Sequence, residues 1–124
     1  MAIPRKLVDK VLGRDHHECV IAGPNCTRTA TVADHRANRG VGGSTVLDCP
    51  ENLVAACGIC NGAKEDADAD TRRDLIARGV RVVKAATNAA TRRRCLVTHV
   101  TYPDGRVFFL LPNGDRQEVG GHEF

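Results

Sequence analysis

Apolar positions first recur at helical spacing at Leu7, Val8, Val11 and Leu12. With Pro4 suited to a first helical position, residues 4–12 are expected to form a short helix, and Gly13 is a good stop. A polar run over residues 14–18 leads into Cys19. Between Cys19 and Cys26 the sequence Gly23-Pro24-Asn25 demands a turn, which brings the two cysteines back toward each other. Residues 27–32 are rich in Thr and Val and read as a strand that presents Asp34 and His35 at its end. Residues 36–44 carry Gly40, Gly42 and Gly43 and read as a loop able to run close to a ligand. Residues 52–56 form a short apolar run suited to a second strand. From Ile59 or Cys60 to about Ala67, small and charged residues favour a helix.

In the second half, Thr71 and Asp74 have the spacing of a capping box, Leu75 and Ile76 supply apolar contacts, and Gly79 ends that helix. Val80, Val82 and Val83 suggest a brief extended piece, and residues 87–94 one or two helical turns. The tail alternates β-rich runs with Pro103-Asp104-Gly105 and Asn113-Gly114. Residues 95–101, 106–111 and 116–119 therefore read as a three-stranded antiparallel meander, with a frayed end over 120–124. The expected fold class is α+β. Residues 1–70 would carry the first helix and the cysteine pairs, and 71–124 the basic helical segment and the meander, packed as one unit.

Composition changes this picture in one respect. Of 124 residues only three are Phe and one Tyr, with no Trp, and the apolar content is mostly Ala and Val. Such a core is thin, so an extra staple is expected, and the six cysteines are the candidates. No apolar run of signal-peptide or membrane-spanning type is present, which favours a cytoplasmic protein and metal ligation over disulfides. Cys57-x-x-Cys60 has zinc-ligand spacing, and Cys19 with Cys26 supplies the second pair, at a wider six-residue interval. Cys49 and His17 are nearby substitutes, and Cys95 reads as a small buried residue opening a strand.

The net charge is only +3, but Arg72, Arg73, Arg78, Arg81, Lys84, Arg92, Arg93 and Arg94 lie in one stretch opposed by Asp74 alone. That density suits a polyanion such as nucleic acid, although a solvated arginine-rich face accounts for it without a partner. Hydrolysis of a phosphodiester needs an activated water and stabilisation of charge on the phosphoryl and leaving oxygens. His35 is a competent general base near neutral pH, and Asp34 with the side-chain carbonyl of Asn61 offers oxygen ligands to a Mg²⁺-type cation.

Asp34-His35, Asn52 and Cys57-x-x-Cys60-Asn61-x-x-Lys64, in that order, resemble the zinc-containing HNH endonucleases common in bacteriophage genomes, over roughly residues 14–64. The resemblance implies a ββα-metal unit, two short antiparallel strands and a helix cradling one divalent ion. It makes His35 the general base, Asp34 and Asn61 the ligands of catalytic Mg²⁺ or Mn²⁺, and Asn52 a brace of the connecting loop that helps orient His35. It places Arg36 and Lys64 near phosphate, with Arg72, Arg73, Arg92, Arg93 and Arg94 extending the contacts to a DNA duplex. It also implies association with the large terminase subunit in genome packaging. Asn61 stands where many members have histidine, and the Cys19–Cys26 interval is wide for the family. The competing expectation is a non-catalytic zinc module that binds nucleic acid or a packaging protein and has no need of Asp34, His35 and Asn61. His16, His17, His99 and His122 are expected to be surface or structural residues.

Overall fold

A helix, a two-stranded sheet, three more helices and a three-stranded sheet follow one another along the chain in a computed structural model that describes residues 2–40 and 45–120. Gly42 and Gly43 of the expected loop, and the chain end from 121, lie outside the described residues. Helix α1 spans Arg5–Arg14, with Pro4 at the cap rather than inside the first turn. Gly13 does not stop it. The helix ends where His16 and His17 both take positive φ, at 56° and 58°.

The first sheet pairs β1 (Val32–His35) with β2 (Leu53–Ala56), antiparallel, with Val32 opposite Ala56 and His35 opposite Leu53. The strand expected at 27–32 therefore begins at its last residue. Residues 27–31 only approach the sheet, through a bridge between Glu18 and Thr29 and a bond from Thr31 N to Ala56 O. All four residues of β2 are buried. Helix α2 (Gly58–Ala63) follows directly, and a tighter turn over Lys64–Asp66 replaces the rest of the expected helix.

Helix α3 spans Ala69–Ala77 and is capped by Asp68, whose carboxylate accepts from Thr71 N at 2.8 Å, so the start lies three residues before the expected Thr71. Gly79 ends this helix for a steric reason as well as a conformational one. Its φ is +76°, and a Cβ there would sit 1.9 Å from the His99 carbonyl oxygen. Helix α4 (Asn88–Val97), capped by the Thr87 hydroxyl, absorbs the residues expected to open a strand at Cys95. Thr91 and Cys95, four apart, are its buried positions. The second sheet is consequently shorter than expected: β3 (Val100–Thr101), β4 (Val107–Leu110) and β5 (Arg116–Glu118), antiparallel in that order.

One buried cluster draws on both halves of the chain. It takes Val11 and Leu12 from α1, all of β2, Leu75 from α3, and Val100, Tyr102, Phe108 and Leu110 from the second sheet and its turn. Two buried polar ties reinforce it. Asp15 accepts from Arg14, from Ala55 N at 3.0 Å and from the Tyr102 hydroxyl at 2.5 Å, which locks the end of α1 to β2 and to the second sheet. Arg36, only 1% exposed, donates to four backbone carbonyls: Glu51 O at 2.8 Å, Gly79 O at 2.8 Å, Cys95 O at 3.0 Å and Thr98 O at 2.6 Å. Burial pulls its guanidinium down to about 10, still cationic at neutral pH. Arg36 is thus an internal strut, which corrects the expectation that it lies beside phosphate. Arg36→Leu should leave those carbonyls without donors and cost on the order of 3 kcal/mol or more in urea unfolding. A loss below about 1 kcal/mol would show that the strut does not carry this weight.

Candidate metal centre and the adjoining pocket

The cysteines at the turn and at the β2–α2 junction converge. The Sγ atoms of Cys19, Cys26, Cys57 and Cys60 all lie within 4.8 Å of one another. A tetrahedral zinc with bonds of ~2.3 Å sets its sulfurs ~3.8 Å apart, so these positions fit with a small contraction. The wide interval between Cys19 and Cys26 is accommodated by a turn in which Ala22 takes positive φ, at 50°, and Arg28, just beyond it, does so too, at 72°. Backbone amides already point at the sulfurs: Gly23 N at 3.3 Å from Cys60 Sγ, Arg28 N at 3.2 Å from Cys26 Sγ, and Cys60 N at 3.4 Å from Cys57 Sγ. Burial alone would raise the Cys57 thiol, but the amides of Cys60 and Thr27 hold it down at about 6. Burial pushes Cys19 and Cys60 upward. Four converging sulfurs, one of them readily ionised, can hold a soft metal such as zinc. Neither substitute joins them. Cys49 is buried beside Glu51 and Arg92, with its thiol pushed up to about 12 chiefly by burial, and His17 is exposed.

The same junction positions the second group. Asn61 follows Cys60 in α2, and β1 presents Asp34 and His35 across the sheet from Val54 and Leu53. Asp34, His35, Asn38, Arg39, Gly40, Asn61 and Glu65 line one open pocket of about 240 Å³. Asp34 is buried, and Lys64 Nζ donates to its Oδ2 at 2.6 Å and to His35 O at 2.7 Å. Burial raises the Asp34 carboxyl above its ordinary value, against the opposing pull of that ammonium. Lys64 therefore supports the pocket from beneath and is not a free phosphate contact, a second correction.

His35 Nε2 lies 2.7 Å from Asp48 Oδ1, and the other Asp48 oxygen accepts from Arg39 at 3.2 Å. Asn52 is fully buried and does not line the pocket, and its backbone carbonyl accepts from Arg36 N at 2.7 Å. Its Oδ1 accepts from Ala37 N at 2.8 Å, and its Nδ2 donates to Ala37 O and Leu47 O, each at 3.0 Å. It pins together the two flanks of the segment between β1 and β2. Asp48 and Glu65 were not among the residues singled out from the sequence. Glu65 could have been found, since it stands four residues after Asn61 and so on the same helical face. Asp48 gave no signal, because its approach to His35 depends on the path of the intervening loop.

The basic stretch does not form one face. Arg92 pairs with the buried carboxylate of Glu51 at 3.1 Å, Arg73 with Asp70, and Arg78 with Asp74 at 3.0 Å. Arg94 donates to Val83 O at 2.6 Å and Arg72 to Ala67 O at 3.4 Å, while Arg93 is exposed. Arg92, partly exposed, is the counterion of a buried carboxylate.

Two separate devices therefore meet at one helix start: a four-sulfur centre able to hold a metal, and an oxygen- and imidazole-lined pocket beside it. No protein-family model and no solved structure matches the chain. Over 63 residues it is 42% identical to the gene 4 protein of Mycobacterium phage L5, a match that takes in 51% of this chain and 58% of that relative's length. Among the described residues, no helix is long and apolar enough to cross a membrane.

The purified protein should carry about one zinc per chain, released on titration of its thiols and measured with a chromophoric chelator. Cys26→Ser should lose the metal and Cys49→Ser should keep it. Stripping the zinc should abolish the folded circular-dichroism signal, because structural zinc contributes ~10 kcal/mol in small modules. Equal zinc loss from both variants would overturn the assignment.

Proposed function

We propose that the chain is a metal-dependent HNH endonuclease that hydrolyses phosphodiester bonds in duplex DNA. One observation carries the reading: β1, paired with β2, and α2, which carries one of the four converging cysteines and is capped by another, present Asp34, His35 and Asn61 to a single open pocket. On this reading β1, β2 and α2 form the ββα-metal unit. Asp34 and Asn61 offer the hard oxygen donors that Mg²⁺ or Mn²⁺ prefers, and Asp34 keeps Oδ1 clear of the Lys64 bond. Such a cation, when bound, stabilises charge on the phosphoryl and leaving oxygens.

His35 takes the proton from the attacking water. Asp48 holds one ring nitrogen and favours the imidazolium that this step creates, and Arg39 on the far Asp48 oxygen keeps the carboxylate in place. Asp48 and Asn52 are positioning residues, the first acting on the ring and the second on the segment that follows His35. A place beside the large terminase subunit in the cytoplasm of an infected cell belongs to this reading by the family resemblance, and the phage relative is compatible with it. The second reading, a non-catalytic zinc module binding nucleic acid or protein, draws on the Lys64 ammonium already engaged with Asp34.

Supercoiled plasmid incubated with the zinc-loaded protein and Mg²⁺ or Mn²⁺ should be nicked. His35→Ala should lower the rate ~100-fold or more and Asp48→Asn about tenfold, with zinc content unchanged in both. No cleavage by the wild type with either ion would favour the binding module.

A further inference from the structure

The pocket at His35 does not end at Asn38. A second depression of about 240 Å³ adjoins it, shares Asn38 and Glu65 with it, and is walled by residues 81–84. These residues are fastened to the chain just beyond His35. Val82 N donates to Arg36 O at 2.9 Å, and the Val82 side chain is buried with Ala37 and Cys95. With Val82 turned inward, Arg81 and Val83 flank it on the outside, and Arg94 holds Val83 O.

Two cations open onto this joint groove. Lys84 is exposed and has no anionic partner among the described residues, and its ammonium lies against Gly40, where a Cβ would be 3.4 Å from Nζ. Arg81 makes only a loose contact with Glu65, at 3.7 Å. Val83, 58% exposed, adds an apolar rim against which a sugar can rest. In the rest of the basic stretch, Arg72, Arg73 and Arg78 are engaged along α3, Arg92 is tied to Glu51 and Arg94 to Val83 O, while Arg93 is exposed on α4.

We infer that the joint groove seats one nucleic-acid strand, with the phosphates to one side of His35 held by Arg81 and Lys84. This inference rests on the nuclease reading for the location of the reacting phosphate, but strand binding is measurable without cleavage. The zinc-loaded protein is titrated into a fluorescein-labelled DNA duplex without added divalent cation, across a salt series, and read by anisotropy. Hydrolysis of bis(p-nitrophenyl) phosphate, too small to span the groove, is measured separately with Mn²⁺.

Arg81→Glu with Lys84→Glu should weaken duplex binding about tenfold or more and flatten the log–log salt slope by about two, while Arg72→Glu with Arg73→Glu changes affinity less than about threefold. The single Lys84→Ala, at an exposed side chain, should flatten the slope by about one even where the Arg81 substitution impairs folding. Wild-type affinity and slope in the groove variants, or an equal loss in the α3 pair, would overturn the groove. Absence of small-diester hydrolysis by the wild type, with the binding differences intact, would count against the nuclease reading and leave the strand path supported.

Discussion

Four sulfurs converging within 4.8 Å repel one another as thiolates and gain little from one another as thiols, so the arrangement is suited to a cation such as zinc. The centre adjoins the pocket through α2, which carries both Cys60 and Asn61. It fixes the 19–26 turn against the point where β2 gives way to α2, and the turn is also tied to β2 by Val20 N on Ala55 O at 2.9 Å. Asn61 is the residue after the last sulfur, and Asp34 lies on the strand paired with β2. After Leu53, β2 consists of Val54, Ala55 and Ala56, side chains too small to hold this geometry by burial alone.

Polar groups inside the protein make up for what the small apolar side chains leave undone. Arg36, Asn52 and the Arg14–Asp15 pair are buried, and all bind backbone far away in sequence. Each replaces regular secondary structure where the chain has none, satisfying carbonyls and amides that would otherwise be buried without partners. Two of them flank the pocket directly in sequence: Arg36 follows His35, and the Ala37 held by Asn52 comes next. Scaffold and pocket are therefore mechanically continuous.

Much of this order was legible in the sequence because local patterns agreed with the tertiary outcome. The stripe in α1, the two hairpin turns of the tail, the β2 run and the joining of the four cysteines all emerged as the residues suggest. The failures share a cause. Residues 95–97 look β-prone in isolation, but the four-residue spacing of Thr91 and Cys95 lets both pack inward as helix. Arg36, Lys64 and Arg92 look like a ligand surface in sequence, yet each meets a buried acceptor from a remote segment. Thr71 was outbid as a cap by an aspartate three residues earlier. Charge can be read from a sequence; whether it faces inward depends on contacts the sequence does not display.

The Arg36 strut also sets an order of assembly. Its partners lie 15, 43, 59 and 62 residues further along, at Glu51, Gly79, Cys95 and Thr98. As the chain leaves the ribosome, the motif-bearing half emerges long before the helix that completes this anchor. Until residue 98 is available, the guanidinium next to His35 has only part of its acceptors. Closing loops of this length comes late in folding, after local helices and the short sheet have formed. The wall of the pocket next to His35 therefore rests on contacts that reach as far along the chain as residue 98.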